Sequence, residues 1–418
     1  MKRSVKRILC GALSLTLAST LAVEHALRMT AETLTATTSA SAAFKNVTGE
    51  FDTTALREQN FNDSVMQTET TPTYETRTVV VSLKSGDLVD AANADGESVS
   101  SYINTWSGQM AADKIRSQQD EFLSKLSQTG IPYKLEQRYD TVLNGVAIEV
   151  NTKHVSTIKQ LANVDSVVIT TSYAVPESTE TGSSASDITN ATSVYATGIY
   201  DTFAYTEEYG KGSVVAILDT GLDYTHEAFQ NDPASPAWRK DYVEGLLEKY
   251  NLTAEGKAGT LDINDVYVSS KVPFAFDYAD DDADVYPSYS NHGTHVAGII
   301  GGYNEDGYTD KDGNAIDDTF RGVVPDAQLV ICKVFTDDLD DEELGGAEAE
   351  NIIAALDDCV TIGVDVINMS LGTSCGFTTT DDGDEEGDLL NEVYEKIKKA
   401  GISLVCAASN DYSPRCRR

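Results

Sequence analysis

Apolar residues follow two different rhythms along this chain. In the first, between Thr76 and Tyr173, short strand-like runs alternate with helical stripes. Thr78–Leu83 (TVVVSL) predicts a strand, and Ile115, Phe122, Leu123 and Leu126 fall on one helical face. Tyr133–Tyr139 and Gly145–Val150 predict two strands around an Asn144-Gly145 turn; Val155, Ile158 and Leu161 repeat at helical spacing; Val167–Thr170 is a last strand. The order β-α-β-β-α-β makes this a small α+β unit. In the second rhythm, near-continuous apolar runs (Val214–Leu218, Leu329–Val334, Val364–Met369, Ile402–Ala407) alternate with helical segments (His292–Gly301, Glu348–Leu356, Leu389–Lys399). Strands without a polar face, alternating with helices, predict a doubly wound parallel sheet covered on both sides. Lys240–Lys271 fits neither rhythm.

The β-α-β-β-α-β order of residues 76–173 is the ferredoxin-like arrangement. It sits between two polar stretches, residues 43–75 and a linker over 174–191 that includes Pro176–Ser186 (PESTETGSSAS), exposed and protease-accessible by composition. Ahead of these, residues 1–42 read as a secretory signal. Lys2, Arg3, Lys6 and Arg7 precede the uncharged run Ile8–Val23, with Ala40-Ser41-Ala42 as a cleavage site. That run is short for a membrane span and nothing later approaches ~18 consecutive apolar residues; with the signal, the expected location is secreted or cell surface.

The 418 residues carry 67 Asp plus Glu against 31 Lys plus Arg, a net charge of −36, which disfavours nucleic acid as a partner. Much of the excess lies in Asp277–Asp284, Asp337–Glu343 and Asp381–Asp388. These read as solvated loops; Ca²⁺ is the sharper alternative, although no run has the spacing of an oxygen-ligand loop. Beyond Cys10 in the signal, the cysteines (Cys332, Cys359, Cys375, Cys406, Cys416) are scattered, with neither metal-ligand nor disulfide spacing. Cys332 and Cys406 lie in strand-like runs and are expected to behave as small buried hydrophobes.

The chemistry concentrates in Val214–Gly221 (VVAILDTG) and Asn291–Gly298 (NHGTHVAG). Asp219 leaves the carboxyl end of a buried strand, where reactive groups collect in open α/β sheets. His292 opens a helix, whose amino end disfavours imidazolium and would keep the ring neutral, as a base must be. A carboxylate and an imidazole so placed are the orienter and base of a serine hydrolase. An aspartic-protease reading of Asp219-Thr220-Gly221 fails because no second such motif occurs. Metal binding by His292 and His295 lacks a third ligand at known spacing.

With these motifs the chain resembles the subtilisin-like serine proteases (subtilases), whose order is Asp, His, Ser; subtilisin is itself the standard worked case of that order. Asn368-Met369-Ser370-Leu371-Gly372 resembles the substrate-binding strand, with Ser370, Leu371 and Gly372 as peptide-binding residues, and Ala407-Ala408-Ser409-Asn410 resembles the strand end bearing the oxyanion asparagine. The resemblance begins near Thr192 and is nearest to the cell-envelope proteinase branch of lactic and streptococcal bacteria. It implies a peptidase domain over 192–418 acting on protein or peptide substrates with no obligatory cofactor. It also implies that residues 76–173 are an inhibitor-type propeptide, bound within the molecule and cut off between Thr171 and Ser186.

The departure lies at the nucleophile. Gly372-Thr373-Ser374 extends the substrate-strand motif and opens no apolar helix, and Ser413 lies in Pro414-Arg415-Cys416 context, unlike the family's Gly-Thr-Ser. The expectation is an incomplete subtilase zymogen, carrying Asp219, His292 and Asn410 without the serine, and inert alone. The alternatives are a pseudoprotease or propeptide-type inhibitor, and one half of a split protease.

Overall fold

Strand β1 (Thr76–Leu83) has four β-branched residues in succession, Thr78 to Val81, which favour extended backbone. It is the scaffold of a four-stranded sheet with β2 (Tyr133–Tyr139), β3 (Gly145–Asn151) and β4 (Val164–Ile169), in the order β2-β3-β1-β4 and antiparallel at each pairing. Between β1 and β2 run α1 (Leu88–Asp95), α2 (Val99–Tyr102) and the long α3 (Trp106–Gln128); α4 (Val155–Ile158) precedes β4. Alternation along β1 divides its side chains between two cores. Val79, Val81 and Leu83 meet Phe122 and Leu126 of α3, while Val80 faces the opposite way into the main core. That is why this strand has no polar face.

A short strand β5 (Ser172–Ala174) follows, and then β6 (Val214–Asp219), buried along its whole length. The structure, a computed structural model, describes residues 74–174, 209–255, 259, 261–304, 308–309, 315–316, 320–337, 346–372 and 385–407. The expected signal, the polar segment up to residue 73, and the linker beyond Ala174 lie outside these residues. Helices α5 (Lys240–Leu247) and α6 (Ile263–Val266) occupy the stretch with no predicted pattern; Trp238, Val243, Leu246 and Leu252 anchor it to the main core.

Strand β7 (Phe274–Asp277), too short to stand out in the sequence, precedes α7 (His292–Gly301). Small antiparallel pairs follow: β8 (Tyr303–Asn304) with β11 (Phe320–Arg321), and β9 (Tyr308–Thr309) with β10 (Ala315–Ile316). Next come β12 (Gln328–Lys333), β13 (Gly346–Glu348), α8 (Ala349–Ile362), β14 (Val366–Met369), α9 (Glu385–Lys399) and β15 (Ser403–Cys406). Strands β15-β14-β6-β12-β7 form one sheet in that order, with parallel pairing throughout. Val214, Ala216 and Leu218 of β6 face the α8 and α9 side; Val215 and Ile217 face Ala297 of α7. The sheet is thus doubly wound, as its apolar strands predict. Cys406 is an exception. It is exposed rather than buried, because β15 is the edge strand among the described residues.

Every residue of α8 is buried, including two adjacent carboxylates. Asp357 Oδ1 accepts the backbone N–H groups of Thr141 (2.9 Å) and Val142 (2.8 Å) in the loop after β2. Asp358 accepts from Thr253 N, Ala254 N and the Tyr278 hydroxyl. Burial pushes Asp357 well above the usual carboxylate range and Asp358 up to about 6. The Tyr139 hydroxyl donates to Glu350 O at 3.0 Å, and Lys396 of α9 binds Asp87 and Asp90 at the start of α1. The first sheet and the parallel sheet therefore share α8 as a common layer. Asp357→Ala would strand two buried N–H groups, at about 1–3 kcal/mol each. The expected outcome is a lower urea midpoint, with faster amide exchange at Thr141 and Val142 than elsewhere in the first sheet.

Candidate active site

The strand order reverses around β6: the chain passes to β7 and β12 on one side and to β14 and β15 on the other. Crevices form outside the carboxyl ends of strands at such a switch point, and Asp219 is the last residue of β6. His292 is the first residue of α7. His292 Nδ1 lies 2.7 Å from Asp219 Oδ1, with Asp219 1% exposed. A carboxylate only accepts, so Nδ1 carries the hydrogen and Nε2 is left free of it, able to take a proton.

Two threonines and two glycines bring these groups together. Thr220 Oγ1 accepts from Gly293 N at 2.9 Å and donates to Ser290 O, and Thr294 Oγ1 accepts from Asp223 N. Gly221 has φ +105°, and a Cβ there would lie 2.3 Å from Val285 O. A Cβ on Gly293 would lie 2.3 Å from Gly221 O and 3.1 Å from Asp219 Cβ. The helix start touches the turn after β6 backbone to backbone, which only glycine permits.

Asp219 Oδ1 also accepts the Thr220 N–H at 2.7 Å, while buried Oδ2 has no protein hydrogen-bond partner among the described residues. The hydrogen bond to Asp219 raises the His292 pKa above the ordinary imidazole value, against the opposing effect of burial. This corrects the expectation from the helix end alone. The adjacent carboxylate favours the protonated ring, as an acceptor beside an imidazole does, opposite in direction to the helix end.

Lys333 pairs in register with Asp219, yet its buried ammonium goes elsewhere. It binds Asp277, Asp280 at 3.2 Å and Asp337 at 3.4 Å. The run at 277–284 is accordingly no plain solvated loop. Asp277 is buried, and burial raises it to about 7 against the pull of Lys333. Asp277, Asp282 and Asp284 also accept backbone N–H groups of the same loop. One oxygen of each of these three carboxylates is therefore engaged within the loop itself. Among the described residues no three His, Cys, Asp or Glu side chains cluster as metal ligands; His295 is exposed.

Ser370, Leu371 and Gly372 leave β14 at the same end of the sheet as Asp219, one strand away. Ser370 Oγ accepts from Asn368 Nδ2 at 3.0 Å, Leu371 is buried and Gly372 is exposed. Asn410, Ser374 and Ser413 lie outside the described residues. Sequence reasoning missed β13, which carries β5 as an antiparallel partner with Ala347 opposite Tyr173. Its signal was Gly345-Gly346: a Cβ on Gly346 would lie 1.8 Å from Ser172 Oγ. It also missed Lys333, hidden in an apolar run.

A strand-borne carboxylate hydrogen-bonded to a helix-borne imidazole, at the switch point of a doubly wound sheet, orients the ring and leaves its second nitrogen able to take a proton. Residues 210–416 match the family model Peptidase_S8, described as the subtilase family. It is 28% identical over 326 residues to a PII-type proteinase of Lacticaseibacillus paracasei, covering 76% of this chain and 15% of that protein. It is 30% identical over 213 residues to a C5a peptidase of Streptococcus pyogenes, covering 49% of this chain and 15% of that protein. The chain spans about 15% of the length of these relatives. A solved epidermin leader peptide processing serine protease of Staphylococcus aureus aligns over 81% of this chain and 61% of its own, at 15% identity and a TM-score of 0.44.

Two outcomes are expected. In an NMR titration His292 loses its proton above the ordinary imidazole value, and Asp219→Asn brings the transition down. With a raised folded pKa, the stabilisation from this pair is full below about 6.5 and is lost as pH rises through the folded value. Gly293→Ala forces the helix start off Gly221; it is expected to cost about 1–3 kcal/mol, as overpacking does, and to abolish the elevated His292 pKa.

Proposed function

We propose that this chain carries the Asp–His arm of a serine endopeptidase that hydrolyses peptide bonds in proteins. The observation that supports it most directly is the 2.7 Å bond between His292 and Asp219 at the carboxyl end of β6. In this reading His292 Nε2 takes the proton of a serine hydroxyl as that oxygen attacks the scissile carbonyl, and later returns it to the leaving amine. Asp219 holds the ring and balances its charge. Asn410 is assigned to the oxyanion, and Ser370, Leu371 and Gly372 to the backbone of an extended substrate. No metal or cofactor enters this chemistry.

The Gly-Thr-Ser of these residues, Gly372-Thr373-Ser374, extends the strand motif after β14 and opens no apolar helix, so Ser374 is not assigned as the nucleophile. No serine of these residues is assigned as the nucleophile, and the chain alone is proposed to be inactive. Residues 76–173 are assigned as an intramolecular inhibitor of an exported zymogen. Their docking on α8 through Asp357 and the placement of β5 on β13 support this. Localisation is proposed as secreted or cell surface; among the described residues no helix is long and apolar enough to cross a membrane.

A fluorophosphonate probe tests the assignment. The purified chain is expected to stay unlabelled, and stoichiometric labelling would place the nucleophile within it. In the serine-complete enzyme, Asp219→Asn is expected to lower kcat by about 10⁴; an unchanged rate would end the protease reading.

A further inference from the structure

In an extended chain, residues two apart point the same way. Thr171 and Tyr173 are so related, and both hydroxyls converge on one carboxylate. Glu386, in the first turn of α9, accepts from Thr171 N at 3.2 Å through Oε1 and from Thr171 Oγ1 at 2.7 Å through Oε2. The Tyr173 hydroxyl reaches Glu386 Oε1 at 3.4 Å. The Tyr173 ring is 3% exposed, in the same apolar cluster as Ala347, Leu371, Leu389 and Leu390. The backbone around it is held as a strand: Ser172–Ala174 pairs with β13, and Ala349 N donates to Thr171 O. Leu371 also belongs to the motif that leaves β14 beside Asp219.

Main-chain pairing to β13 is indifferent to sequence; the burial of Tyr173 and the carboxylate of Glu386 are not. Apolar walls take any large ring. Glu386, as an acceptor, favours a ring that carries a hydroxyl and a second hydroxyl two residues earlier. A phenylalanine gives up the bond to Oε1, and a residue without a hydroxyl two places earlier gives up the 2.7 Å bond to Oε2; a site built to bond a hydroxyl discriminates against the analogue lacking it.

We propose that Glu386, with the apolar slot holding Tyr173, is a specificity-determining subsite for extended peptide substrates bearing a hydroxyl residue, any residue, then tyrosine. Residues 171–173 of the chain itself fill it in the resting state. This rests on the protease reading and names a substrate class for it. Glu386 acts on recognition, away from the Asp219–His292 pair.

The test uses the full chain and two synthetic peptides, acetyl-Thr-Ser-Tyr-Ala-amide and acetyl-Val-Ser-Phe-Ala-amide. Amide exchange over residues 171–174 and 346–349 reports displacement of the internal segment. The hydroxyl-bearing peptide is expected to displace it at about tenfold lower concentration, the scale of hydrogen bonds to a charged acceptor. Glu386→Ala is expected to erase that preference and to speed opening of residues 171–174 about tenfold. Glu386→Gln, which keeps one acceptor oxygen, falls between. Unchanged exchange in β6 and β12 controls for folding of each variant. Equal displacement by both peptides, or by neither, with residues 171–174 protected in the unsubstituted chain, overturns the subsite and leaves an internal latch. Exchange of residues 171–174 as fast as in a free peptide overturns the docking of this segment itself, and with it the inhibitor role proposed for residues 76–173.

Discussion

The backbone contact between Gly293 and Gly221 is the constraint on which the site depends. A hydrogen bond of 2.7 Å tolerates little displacement, and it joins residues 73 positions apart. Neither Asp219 nor His292 can adjust by much, since one ends a buried strand and the other begins a helix. The separation of their supports is set instead by where α7 touches the turn after β6. The 2.3 Å between a Cβ on Gly293 and Gly221 O means that any side chain would push the two elements apart. The threonine bonds then fix the remaining freedom, because Thr220 ties both Gly293 and Ser290 to the strand end. Geometry of this kind is bought by sequence in glycines and small polar residues, which is why both signature runs are rich in them.

Electrostatics near the pair follows from where the buried ammonium of Lys333 goes. Lys333 sits beside Asp219 in register, and an ammonium bonded to that carboxylate would compete with His292 for it. Asp277, Asp280 and Asp337 take the ammonium instead. Asp219 is left with His292 and a backbone N–H as partners, so its negative charge acts on the imidazole. The acidic loop at 277–284 therefore has a local purpose. It satisfies a buried lysine one strand away from the site, and it leads the chain into Ser290 and His292.

Legibility varied with the length and regularity of the signal. Both sheets were legible, because runs such as VVVS and VVAIL have no polar face and alternate with helical stripes. Asp219 and His292 were legible because glycine and threonine surround them at fixed spacing. Strand β7 and the pair β5–β13 were not: each has four residues or fewer, and a short strand is specified by its partner rather than by its own periodicity. The burial of Asp277 and Lys333 was likewise hidden, since a charged residue looks solvated until its counter-charge is found at a distant position. Cys406 failed for the opposite reason. Its neighbours are apolar, but it lies on an edge strand, and edge position is a property of sheet order.

Helix α8 carries this dependence on partners furthest. A stripe of Ile352, Ile353, Leu356 and Val360 predicts one buried face; two aspartates and a glutamate should mark the other as solvated. Asp357 is buried against the first sheet, with Thr141 and Val142 donating to it, while Asp358 is held by Thr253 N, Ala254 N and the Tyr278 hydroxyl. Removing that sheet would return Asp357 to water, where a carboxylate ionises at its ordinary pKa, and would expose Val80, Ala147 and Val168 together. Asp357 thus gives that face two tolerable states, hydrated or capped by backbone N–H groups, where an all-apolar face would have only one.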